Sequence, residues 1–105
     1  MDITYPLRKP INPINVLRQA GYHPINDYKS GQDSWVRTLG NLHYPRFHLH
    51  FKTTANAIQI SLHIDQKQAA SRFAKVPRHA GEYDSPIVQA EIGRLQRWFD
   101  YSQTV

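Results

Sequence analysis

Two stretches near the middle of the chain alternate polar and apolar residues without a break, and they constrain the fold more than any other feature. Arg46-Phe47-His48-Leu49-His50-Phe51-Lys52 is the first, and Ile58-Gln59-Ile60-Ser61-Leu62-His63-Ile64-Asp65 is the second. Successive side chains of a β-strand point to opposite faces, so each stretch predicts a strand buried on one side only. The short segment between them makes a hairpin the economical connection.

The hairpin restricts its own register. Phe47, Leu49 and Phe51 must share a face with Ile58, Ile60, Leu62 and Ile64, because a slip by one residue would turn one strand's whole apolar set into water. Only pairings of odd with even positions meet this condition. A turn over Thr54 to Ala57 places Thr53 opposite Ile58, His50 opposite Ser61, His48 opposite His63 and Arg46 opposite Asp65. Shifting by a full pleat changes partners but not faces. Either way His48, His50, His63 and Asp65 project from one side of the sheet, where directly opposed Cβ atoms stand about 4.5–5.5 Å apart.

That face carries the chemistry. Neutral imidazole is the commonest metal ligand, and three protein ligands with one open position is the pattern of a catalytic zinc. Manganese or iron suits an all-imidazole and carboxylate set as well. The chain has no cysteine, so a disulfide framework and a thiolate site are excluded and any metal must rest on His, Asp or Glu. The expected ligands are His48, His50, His63 and Asp65, with His79 as an additional candidate; zinc or manganese is the expected ion. Two plainer readings stand beside this one. Asp65 can pair with Arg46 across the strands, and the histidines can be polar residues of an open sheet face.

The flanks supply the remaining elements. Residues 1–11, with Pro6 and Pro10, read as an extended N-terminal arm, and residues 12–105 as a single α+β domain. Asn12 as N-cap, Pro13 at the first helical position, Ile14 and Leu17 inside and Gly21 as the stop predict a short helix. Residues 22–33 read as loop, and Trp35 to Leu39 as a strand. Ser85 as N-cap and Pro86 open a second helix in which Val88, Ile92, Leu95 and Phe99 form an apolar stripe. The expected fold is therefore α+β in the order helix, strand, strand, strand, helix. A three-stranded antiparallel sheet would carry both helices on one face, leaving the histidine face uncovered by them.

Nothing in the chain approaches the roughly 20 apolar residues of a membrane-spanning helix or looks like a signal peptide, so a cytoplasmic location without a membrane partner is expected. The formal charge is +5 over 105 residues. Its distribution says more, because Asp65 is the only acid between Ser34 and Gly81, a stretch that holds Arg37, Arg46, Lys52, Lys67, Arg72, Lys75 and Arg78. Such a bias favours a polyanionic partner, nucleic acid first, or else serves solubility.

The run Tyr44-Pro45-Arg46-Phe47-His48-Leu49-His50, with Leu62-His63-Ile64-Asp65-Gln66-Lys67 and Gly81-Glu82-Tyr83-Asp84, resembles a short bacterial family without an assigned activity. At motif level His48-Leu49-His50 is similar to the His-hydrophobe-His element of HUH endonucleases. That resemblance implies a divalent ion on His48 and His50, a third ligand from His63 or Asp65, and Tyr101 as the nucleophile that attacks a scissile phosphate. The function expected first is a metal-dependent phosphodiesterase or nuclease-like domain, with Arg46, Lys52, Lys67, Arg72, Lys75 and Arg78 on the phosphates. The alternatives are a non-catalytic nucleic-acid-binding module and an oligomerisation domain that forms a homodimer through the uncovered sheet face.

Overall fold

The computed structural model describes residues 1–26, 33–65 and 85–104. In chain order its elements are β1 (Asp2–Pro6), α1 (Pro13–Gln19), β2 (His23–Asn26), β3 (Asp33–Thr38), β4 (Arg46–Thr53), β5 (Ala57–Asp65) and α2 (Pro86–Thr104). The central hairpin β4–β5 has the register that its alternation demands. Arg46 faces Asp65, His48 faces His63, His50 faces Ser61 and Thr53 faces Ile58.

The α+β class stands, but the expected three-stranded sheet does not: among the described residues the sheet has five antiparallel strands, in the order β1-β5-β4-β3-β2. Both additional strands are edges, and both contain proline. β1 lies within the stretch expected as an arm and pairs with β5, Ile3 opposite Ile60 and Tyr5 opposite Ile58. β2 lies within the expected loop and pairs with β3, Pro24 opposite Trp35. Proline lacks the N–H that a central strand needs on both sides, so it argues against a strand in the sequence yet is tolerated at an edge. There it also discourages pairing with a further chain.

Helix α1 begins and ends as its sequence dictates. The Asn12 side chain accepts a hydrogen bond from the Ile14 amide at 3.0 Å. At the other end the Gly21 amide donates to the Arg18 carbonyl and the Tyr22 amide to that of Leu17, a Schellman closure. Gly21 holds φ +97°, where a side chain is strained. Ser85 caps α2 by accepting from the Val88 amide at 3.4 Å.

Val16 and Leu17 of α1, with Val88, Ile92, Leu95 and Phe99 of α2, share one core with Tyr5, Trp35, Phe47, Leu49, Ile58, Ile60, Leu62 and Ile64 of the sheet. Both helices thus lie on the same face of the sheet. A buried carboxylate ties the helix layer together. Glu91 accepts from the Tyr22 hydroxyl at 2.6 Å and from Arg94 at 2.8 and 2.9 Å, while Arg94 also donates to the Ala20 carbonyl at 2.6 Å. Arg37 of β3 stands 3.6 Å from the same carboxylate. Burial, and then the charge of Glu91, push the Tyr22 hydroxyl well above its ordinary pKa, so it remains a donor.

Candidate metal centre

Strand alternation puts His48, His50, His63, Asp65 and Arg46 on the sheet face opposite the helices. Their neighbour β3 contributes to that face as well, since Val36 stands opposite His48 and is buried. The face is therefore only partly open: the His48, His63 and Asp65 side chains retain 15%, 20% and 23% of their exposure.

Asp65 is the hub. One carboxylate oxygen lies 2.9 Å from His48 Nδ1, the other lies 2.8 Å from His63 Nε2, and Arg46 Nε approaches the first at 3.5 Å. An ionised carboxylate only accepts, so each facing ring nitrogen carries the proton. Burial works against the Asp65 charge, but hydrogen bonds from His48 and His63 outweigh it and hold the carboxyl well below the usual carboxylate range. The expected Arg46–Asp65 pair thus exists, yet the histidines are the closer partners. Arg46 also lies over the Tyr44 ring, 4.5 Å from its centroid.

The rings form a short row. His48 sits between His50 and His63, with centroids 4.7 Å from each. Its Nδ1 is engaged by Asp65, whereas its Nε2 is buried without a hydrogen-bond partner. A buried polar atom in this state is uncommon. His50 turns away from the carboxylate toward Ser34 of β3, with Nδ1 3.4 Å from the Ser34 hydroxyl.

One ligand atom from each of His48, His63 and Asp65 lies within 4.8 Å of the other two. An ion held there would replace protons that the carboxylate now accepts.

Of the residues expected in the site, His48, His63 and Asp65 converge, and His50 flanks them without joining the group. Lys52 is exposed at the far end of the same face, opposite Gln59. Tyr101 is not brought to the histidines: it lies on α2, across the sheet, with its ring edge-on to Trp98. His79, Lys67, Arg72, Lys75 and Arg78 lie outside the described residues. Ser34, fully buried, and Tyr44 were not foreseen as neighbours of His50 and Arg46. For Ser34 the alternation of β3 carried a signal, but the register of β3 on β4 depended on a long connection.

Comparison with protein-family models, curated proteins and solved structures gives no match. Among the described residues, no helix is long and apolar enough to cross a membrane.

Proposed function

We propose that the protein is a divalent-metal-dependent phosphodiesterase domain acting on nucleic acid, its ion held by His48, His63 and Asp65. The convergence of those three side chains on two paired strands carries this reading. Three protein ligands leave a position for water, which an ion such as zinc makes acidic, with a pKa of about 7. An ion held there would supply an activated water for attack at phosphorus, the leaving oxygen taking up a proton as its bond to phosphorus breaks. His50, one ring away from His48, is a further group able to carry it.

The substrate class rests on the excess of cations in the middle of the chain, Arg46 and Lys52 among them, and on the likeness of His48-Leu49-His50 to the HUH element. The geometry favours a departure from that element. The pair facing the carboxylate is the cross-strand pair His48 and His63, and a water activated by the ion would take the place of the remote Tyr101.

Calorimetric titration of chelator-treated protein with zinc and with manganese tests the centre. Near-stoichiometric binding that disappears in a His48→Ala/His63→Ala variant is expected, followed by metal-dependent cleavage of a labelled oligonucleotide. Protein that takes up neither ion refutes the centre. Uptake without cleavage refutes the phosphodiesterase and leaves a non-catalytic module.

A further inference from the structure

On the opposite side of the sheet, a groove of about 570 Å³ between α1 and α2 is lined by Gln19, Arg94, Arg97, Trp98 and Tyr101. Positions 94, 97, 98 and 101 recur at the spacing of one helix face, so α2 presents them as a single stripe. Two of them are aromatic. Tyr101 is 59% exposed. Its ring stands perpendicular to the half-buried Trp98 ring, at 89° with centroids 6.2 Å apart.

Among the described residues that line the groove, the charged ones are Arg94 and Arg97, and none is a carboxylate. Glu91, one turn away, is buried and shared between the guanidinium groups of Arg94 and Arg37, so this network is net positive before the exposed Arg97 is counted. The Asp100 carboxylate keeps its charge while accepting from the Tyr5 hydroxyl, and it is not among the described residues that line the groove.

Aromatic faces beside guanidinium groups are what unstacked bases on a phosphate backbone require. Bases stack on the rings whatever their identity, while the cations neutralise phosphate. A duplex conceals its base faces, and an acidic peptide would engage the arginines but leave the rings unused. We propose that this groove is a stacking platform for single-stranded nucleic acid, with bases on Tyr101 and Trp98 and phosphate on Arg97. The platform does not depend on the metal centre, which lies across the sheet, and it extends the substrate reading above with a surface that can be tested separately.

The test is anisotropy of a labelled oligothymidylate, with chelator present, at two salt concentrations, alongside tryptophan emission. Binding should quench Trp98, and a Trp98→Phe variant, which keeps Trp35, should lose the quenching. Tyr101→Ala should weaken binding by about 5- to 160-fold, the range for one stacked base. Arg97→Gln should reduce the slope of log affinity against log salt by about 0.7. Tyr101 and Arg97 are exposed, so both variants should fold, which circular dichroism checks. No binding, undiminished affinity in both variants, or equal affinity for duplex DNA or polyglutamate would each overturn the proposal.

Discussion

Asp65→Asn keeps the volume of the hub but removes its charge and one of its two strong acceptors. In the folded protein the carboxylate takes two short hydrogen bonds, at 2.9 and 2.8 Å, and a longer contact from Arg46 at 3.5 Å. A hydrogen bond to a charged group contributes about 1.5–3 kcal/mol net. The asparagine oxygen can still accept from one imidazole, and residual exposure screens the remainder, which brings the expected loss to about 2 kcal/mol. The pH dependence fixes the cause. Because the folded-state pKa of Asp65 is depressed, its contribution is fully present above the unfolded value of about 3.9 and disappears as pH falls through the folded value. Urea unfolding of both proteins with chelator present should therefore show the full difference at about pH 6 and a narrowing gap below about pH 4. A difference under about 0.5 kcal/mol at the higher pH, the ordinary range for surface substitutions, would refute the hub. A gap that persists undiminished in acid would show that the carboxylate charge is not its source.

Glu91→Gln should lower stability by about 3 kcal/mol in the same assay, because it leaves Arg94 without its charge partner in the buried network, and an unchanged midpoint would exclude that network as a tie between the helices. Gly21→Ala should cost about 1 kcal/mol, seen as a lower melting temperature. The nearest atom to an added Cβ is 3.5 Å away, so the cost comes from φ and not from crowding. A His48→Val/His63→Val/Asp65→Val variant should stay folded within about 1 kcal/mol of the parent, since apolar β-branched residues suit a half-buried strand face. A loss as large as that from Asp65→Asn alone would make the cluster a device for stability.

The hairpin was legible in the sequence because two unbroken alternations with one buried face admit a single parity of register, and the turn length selects the pairing within it. Once His48 faced His63, the meeting of both with Asp65 depended only on side-chain rotation. The edge strands were hidden by chemistry that belongs to edges. Ile3 and Tyr5 are too few to announce a strand, and Pro24 contradicts one, because an edge strand needs hydrogen bonds on one side only. The role implied for Tyr101 by resemblance was at odds with the helix pattern itself. If Val88, Ile92, Leu95 and Phe99 face the sheet, a residue two positions beyond Phe99 points outward, and α2 lies across the sheet from the histidines.

The cluster costs the fold more than its position requires. β4 and β5 are both interior strands of the sheet, and valine or isoleucine at 48, 63 and 65 would satisfy their propensity and partial burial without polar atoms to provide for. Instead a carboxylate is desolvated there and sustained by two imidazoles, one of which has a buried nitrogen with no partner. A network that mostly offsets the desolvation it creates is a weak stabiliser. As a ligand set the same network is well made. An ion can replace the two protons that Asp65 now accepts, and the strands hold the donors where they are. Slipping that register would expose Phe47 and Leu49 or Ile60, Leu62 and Ile64, so the spacing of His48, His63 and Asp65 is fixed by the apolar residues on the reverse of the same two strands.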